Sequence, residues 1–178
     1  SDLIGGAVIV NDTELYGKIK LVQKSVGAVP SPFDSWLTLR GVKTLAIRMR
    51  QHEENAMKIA IYLKQHHNAL ETYFPGLEDH PGHAIAKKQM TGFGGVVSFQ
   101  IKGGIAEANA FFRKLKVFQL ADSLGGVESL ANYSALMTHE AFPPALRKKI
   151  GVTENLIRLS VGIEHIDDLL SDLKEALS

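Results

Sequence analysis

A two-layer α+β domain is what this sequence predicts, from three observations. A helix-period pattern runs from Lys43 to about His66, short apolar runs rich in β-branched residues alternate with further helical stretches, and Gly or Pro punctuates the joins. The 178 residues suit one domain or slightly more, at about 150 residues per domain. Hydrophobic residues at 45% and charged residues at 22% are ordinary for a packed protein and exclude a disordered, collagen-like or coiled-coil chain. Lys and Arg number 20 against 19 Asp and Glu, a net charge of +1. That balance gives no electrostatic case for nucleic acid or an anionic membrane as partner. Without Cys there is no disulfide framework, thiolate nucleophile or zinc–thiolate cluster, and a reducing, cytoplasmic setting is expected. The longest charge-free stretch, Gln89 to Ile101, is shorter and more polar than the roughly 18 apolar residues a membrane span needs. The opening SDLIGGAVIVND has no basic lead and no methionine, so the chain is expected to begin inside a longer protein.

The elements follow in order. Ala7, Val8, Ile9 and Val10, led by Gly5 and Gly6, read as a buried strand within Leu3 to Val10. Asn11, Asp12 and Thr13 offer capping oxygens, so a helix runs from there to about Ser25, with Gly27 beyond its end. Pro30 and Pro32 fix a turn, and Ser31 caps a short helix that Gly41 should interrupt. In the long helix, Leu45, Met49, Ala56, Ile59 and Leu63 recur at helical spacing, with Arg48, Arg50, Glu53, Glu54, Lys58 and Lys64 largely elsewhere. Strands are predicted at Leu70–Phe74, Val96–Ile101, Val117–Ala121 and Leu156–Val161, and helices at Ala84–Met90, Ile105–Leu115, near Pro144–Lys149 and at Ile166–Leu177. Val97, Phe99 and Ile101 share one strand face and Ser98 and Gln100 the other, as in a sheet with helices on one side.

Several residue patterns could carry chemistry. Arg158 lies in LIRLSVG, where alternation puts Leu156, Arg158 and Ser160 on one face and Ile157, Leu159 and Val161 on the other. A guanidinium among apolar neighbours needs an anion, and its planar fork suits a carboxylate. The spacing leaves open a structural pair with Glu164 or another acid, an exposed arginine, and a ligand role. ADSLGGVES places Asp122, Ser123, Gly125, Gly126, Glu128 and Ser129 directly after a short apolar strand. Glycines there allow a sharp turn or close approach to a ligand. A Ser123–His139–Asp122 triad is disfavoured, because adjacent strand residues face opposite ways and no G-x-S-x-G elbow surrounds the serine. TGFGG at Thr91 to Gly95 enters a strand and lacks the Lys-Ser/Thr of a phosphate loop. His80 and His83 flank a Pro-Gly turn with no third ligand near in sequence, and His66 and His67 suit a helix end, so no metal site is expected.

SDLIGGAVIVND, GAVPSPFDSWLTLRGVKTLAIRM, MTGFGGVVSFQIKGG, ADSLGGVESLANYSALMTH and LIRLSVGIEHIDDLLSDL closely resemble, in order and over the whole chain, the Cys/Met-metabolism family of pyridoxal phosphate enzymes. The resemblance implies a fold-type I architecture. Residues 1–30 would end the cofactor-binding large domain, 31–66 would form a connecting long helix, and 67–178 the C-terminal small domain. A strand and helices would precede a mainly antiparallel four-stranded sheet. The family's Schiff-base lysine lies a few residues before the pair that here is Ser1 and Asp2. Pyridoxal 5'-phosphate is therefore expected in the full-length enzyme, with no catalytic or cofactor-binding residue in this chain, which alone should be inactive.

The resemblance further implies that Arg158 grips the substrate α-carboxylate and that Ser123 assists beside it. Asp122 falls where members that handle cystathionine tend to carry glutamate, and Lys24 is followed by Ser25 where methionine-cleaving members have a Lys-Asp pair. Both features point to a cystathionine enzyme, and the reaction expected is γ-elimination or γ-replacement on cystathionine or an activated homoserine. The alternatives are β-elimination from cystathionine, γ-cleavage of methionine, or, in another class, a non-catalytic association fragment. An amino-acid substrate and a full-length homotetramer are the partners implied.

Overall fold

The computed structural model describes residues 2–178, and its first helix starts where a side chain can cap it. Asp12 accepts a hydrogen bond from the Leu15 amide at 2.6 Å, and α1 runs over Thr13–Val26 to a left-handed Gly27 at φ 71°. Ser31 accepts from the Asp34 amide at 3.1 Å, and α2 covers Pro32–Val42 with its proline at the start. The helix passes through Gly41 where a break was expected. One internal glycine costs only about 1 kcal/mol against alanine, too little to end a capped helix.

The strand expected within Leu3 to Val10 does not form: residues 2–10 carry no strand, and Val8 and Ile9 are exposed. A β-branched run is extended but needs a ladder to become a strand, and among the described residues none pairs with it. Neither α1 nor α2 buries a residue, so Leu21, Val22, Trp36 and Leu39 stand exposed.

The chain divides into two compact units, one through Ala46 and one over Ile47–Ser178. The long helix α3, Leu45–Gln65, crosses that boundary. In the second unit follow β1 (Ala69–Tyr73), α4 (His83–Gln89), β2 (Val96–Ile101), α5 (Ile105–Lys114), β3 (Gln119–Leu120), β4 (Leu130–Asn132), α6 (Pro144–Lys149), β5 (Leu156–Ser160) and α7 (Ile166–Ala176). The strands form one five-stranded sheet in the order β1-β2-β5-β4-β3.

Two corrections to the expected sheet follow. It has a fifth strand, β4, and it is mixed: β1–β2, β2–β5 and β4–β5 are antiparallel, but β3 and β4 are parallel. All three β4 residues are buried, so the strand shows none of the alternation that betrays a half-exposed one.

Alternation elsewhere divides the sheet's faces as predicted. Val97, Phe99, Ile101, Ile157, Leu159 and Val161 are buried in one cluster with Ile59 and Leu63 of α3, Phe111 of α5 and Leu169 and Leu173 of α7. Helices α3, α5 and α7 therefore cover one face, and the other carries Ser98, Arg158 and their neighbours. Asp172 of α7 is buried yet satisfied, because its carboxylate accepts from the amides of Lys116, Val117 and Phe118 at 2.7, 3.0 and 2.9 Å. It anchors the approach to β3. Among the described residues no helix is long and apolar enough to cross a membrane.

Candidate functional site

The alternation that sends Ile157 and Leu159 of β5 into the core turns Arg158 to the open face. Cross-strand register sets Ser98 of β2 on one side of it and Asn132 of β4 on the other. The guanidinium reaches the turn that follows β3. Its Nη2 donates to the main-chain carbonyls of Asp122 at 3.2 Å and Ser123 at 3.1 Å, while its Nε is buried with no hydrogen-bond partner. Burial lowers the Arg158 pKa from its ordinary value, opposed by attraction to the Asp122 carboxylate. An arginine so placed remains a cation.

The acid that could have neutralised it lies elsewhere. Glu164 accepts from the Ser129 amide at 2.6 Å and from the Ser129 hydroxyl at 2.9 Å. Among the described residues no carboxylate forms an ion pair with Arg158. A half-buried guanidinium held only by neutral carbonyls, with one donor orphaned, retains capacity for an anion. The structure thus brings Arg158, Asp122 and Ser123 together. The link runs through the main chain of residues 122 and 123, however, and their side chains are exposed.

That turn belongs to a loop tied to β5 and its continuation in matching order. Asp122 and Ser123 meet Arg158, the Gly125 amide donates to Ser160 Oγ at 2.8 Å, the Ile163 amide to the Val127 carbonyl at 2.9 Å, and Ser129 meets Glu164. Gly125 takes φ 81°, a conformation few side chains accept. Gly162 is needed for closeness, because a Cβ there would stand 2.3 Å from the Val127 carbonyl oxygen. On the loop's other flank, Asn132 Nδ2 donates to the Ala121 carbonyl at 3.3 Å and its Oδ1 accepts from Ser134 at 2.7 Å.

Helix α3 holds the far end of this arrangement. His52 Nδ1 lies 2.6 Å from the Val161 carbonyl, and Asn55 donates to the carbonyls of Gly162 and Glu164 at 3.1 and 2.9 Å. The TGFGG segment is similarly structural in its contacts: Glu53 accepts from the Phe93 amide at 2.9 Å.

Other candidates are engaged locally. His139 contacts the Thr138 hydroxyl and packs edge-on against Phe142, and no bond joins it to Ser123. His80 accepts from the Gly82 amide, and His83 contacts the Pro75 carbonyl and stacks on Phe93. Sequence reasoning missed Asn132, the Ser129–Glu164 link and the role of Ser160. The one available signal was that Ser160 shares the Arg158 strand face.

With this geometry in place, comparison with known proteins narrows the chemistry. The family described as "Cys/Met metabolism PLP-dependent enzyme" matches residues 1–178. A cystathionine gamma-lyase from Dictyostelium discoideum is 50% identical over 177 residues, which are 99% of this chain and 46% of that protein. A cystathionine beta-lyase from Lactococcus lactis subsp. cremoris is 52% identical over the same shares of each. The crystal structure of a cystathionine gamma synthase from Xanthomonas oryzae pv. oryzae in complex with cystathionine aligns at a TM-score of 0.89 and 47% identity, covering 95% of this chain and 44% of that one. The chain thus spans a little under half the length of the relatives it matches.

Proposed function

The chain belongs to the Cys/Met-metabolism family of pyridoxal phosphate-dependent enzymes, and from that premise we propose that it supplies the substrate-carboxylate clamp of a transsulfuration enzyme. The reaction proposed is γ-elimination or γ-replacement on cystathionine or an activated homoserine. One observation carries the reading: Arg158, on the sheet face opposite the buried core, is held by two neutral carbonyls and, among the described residues, forms no ion pair with an acid. An amino acid's α-carboxylate is a planar anion whose two oxygens accept parallel hydrogen bonds from a guanidinium fork.

The donor set around Arg158 suits that carboxylate and does not suit the cofactor itself. An aldehyde needs a lysine amine, and none is bonded to Arg158, Asp122 or Ser123. A phosphate is commonly cradled by several free amides together, and in this turn the Gly125 amide is already taken by Ser160. Pyridoxal phosphate, when bound, takes up the electron pair released next to the carboxylate. We therefore assign its binding to polypeptide outside these residues, and propose that this chain alone is inactive.

What the residues present contribute is position. A carboxylate fixed at Arg158 leaves the substrate one axis of freedom fewer, and fixing a reactant in this way is a large share of what a protein adds to cofactor chemistry. The exposed Asp122 carboxylate stands on the same turn and suits a second, cationic end of the substrate, such as the distal ammonium of cystathionine. Ser123 offers a hydroxyl beside it. In the complete enzyme, residues 1–30 are read as the end of the large domain, 31–66 as a connecting long helix and 67–178 as the small domain. A homotetramer in the cytoplasm is its proposed form.

A beta-lyase relative at 52% identity keeps β-elimination from cystathionine as the second reading. Steady-state comparison of the complete enzyme on cystathionine, on O-succinylhomoserine with cysteine, and on methionine separates them. Release of α-ketobutyrate or cystathionine synthesis is expected. Pyruvate from cystathionine would establish the second reading, and fast methionine cleavage with none of cystathionine would overturn both.

A further inference from the structure

Between Ala121 and Gly125 the chain presents two carbonyls to Arg158, and both ends of that short stretch are tied down by buried side chains. Ser160 is 2% exposed and Asn132 is 1% exposed. Ser160 Oγ accepts from the Gly125 amide at 2.8 Å, and Asn132 Nδ2 donates to the Ala121 carbonyl at 3.3 Å. We infer that Ser160, with Asn132 as the second anchor, is a positioning residue for the substrate carboxylate: it latches the Asp122–Gly125 turn so that the carbonyls of Asp122 and Ser123 aim the Arg158 guanidinium. This inference rests on the clamp reading of Arg158.

The Arg158 guanidinium forms no ion pair among the described residues and feels only the longer-range attraction of Asp122. Among the described residues its only hydrogen bonds run from Nη2 to two carbonyls, and a carbonyl can orient a partner only if its own peptide is held. Gly125, at φ 81°, is the most permissive point of the turn. The hydroxyl of Ser160 is what immobilises it, from a site two residues along β5 on the same face as Arg158. Latch and guanidinium therefore stand on one strand and grip one turn, so their spacing is set by the strand repeat. Released at Gly125, the two carbonyls gain freedom, Arg158 loses its aim, and carboxylate binding weakens while the cationic charge stays.

A merely structural hydroxyl would behave differently. It would affect all ligands or only stability, whereas an aiming device affects ligands that carry the carboxylate. Two variants of nearly equal shape isolate the hydroxyl: Ser160→Thr keeps it and Ser160→Val does not. The measurement is calorimetric binding of glycine and of glycinamide, which lacks the carboxylate, to the complete holoenzyme.

Ser160→Val is expected to weaken glycine about tenfold, the scale of one well-made hydrogen bond. Glycinamide should be unmoved, and Ser160→Thr should bind both like the unsubstituted enzyme. Equal weakening of both ligands, or a Thr variant that behaves like Val, would overturn the inference. Arg158→Ala, measured alongside, separates the two layers of the argument. If it abolishes the preference for glycine over glycinamide while Ser160→Val changes nothing, the latch alone fails. If it leaves that preference intact, the clamp reading fails and the latch with it. Should Ser160→Val not fold, Asn132→Ala frees the turn at its other anchor and carries the same expectation and the same refutation.

Discussion

Arg158→Ala separates a ligand-binding arginine from a structural one, because the structure assigns the two roles different signatures. Removing the side chain deletes two hydrogen bonds to neutral carbonyls, but it also removes a buried Nε that has no partner. The lost bonds contribute about 1 kcal/mol each and the orphaned donor costs about 1 to 3 kcal/mol, so stability should change by no more than about 1 kcal/mol. No acid is left unpaired, since Glu164 is engaged with Ser129. For a domain of this size the thermal midpoint should then move by less than about 4 °C. Transition-state stabilisation is another matter. Deleting one partner of a buried charge pair costs about 2 to 5 kcal/mol, and the half-buried position of Arg158 argues for the lower part of that range. In kcat/KM for cystathionine this is a loss of roughly 30-fold or more. The assay pairs steady-state kinetics of the complete enzyme with a thermal scan, using the cofactor's absorbance to verify that it stays bound. A kcat/KM within about twofold of the unsubstituted enzyme, with a midpoint lowered by about 8 °C, would identify Arg158 as structural and refute the reasoning.

Two further outcomes follow from groups outside the candidate site. Asp172→Ala strands the amides of Lys116, Val117 and Phe118 and should destabilise by about 2 to 4 kcal/mol, with Asp172→Asn intermediate because it keeps one acceptor. Urea unfolding followed by circular dichroism checks this, and a loss below about 1 kcal/mol would mean that water serves the three amides instead. The Glu107 carboxyl is held below its ordinary pKa, chiefly by the Gly104 amide it accepts at 2.7 Å across the first turn of α5. A depressed folded value means the contact stabilises above the unfolded carboxylate pKa and is lost as pH falls through the folded one. Carboxyl NMR titration should therefore place Glu107 below a model glutamate, with α5 amide protection declining over that acidic window. A Glu107 midpoint at or above the model value would contradict the cap.

Much of the fold was legible because its signals are local. Asp12 and Gly27 bracket α1 and Ser31 with Pro32 opens α2, each through contacts within a few residues. The period of α3 and the alternation of β2 and β5 report burial directly. What failed depends on partners distant in sequence. The run through Val8 and Ile9 has strand composition without a strand to pair with, and β4 is too short and too uniformly buried to show a pattern. At the site, Arg158 was legible as a charge in an apolar strand. That its partners would be peptide carbonyls 35 and 36 residues away, rather than an acid such as Glu164 six positions on, was not. Main-chain partners leave no trace in residue identity.

The missed parallel pair explains why the candidate site exists where it does. Neighbouring parallel strands require the chain to return to the same end of the sheet before the second can begin, a demand usually met by a long crossover with a helix. Here residues 121–129 make the return without one. A helix would satisfy its own backbone, but an irregular loop must find partners for its amides and carbonyls elsewhere. It finds them along β5 and its continuation: Arg158 for two carbonyls, Ser160 for the Gly125 amide, Ile163 for the Val127 carbonyl and Glu164 for Ser129. The polar positions after Ile157 are thus set first by the needs of an unsupported crossover. The guanidinium that serves the loop with one nitrogen is left facing the open side of the sheet with donors to spare, which is the property a carboxylate clamp requires.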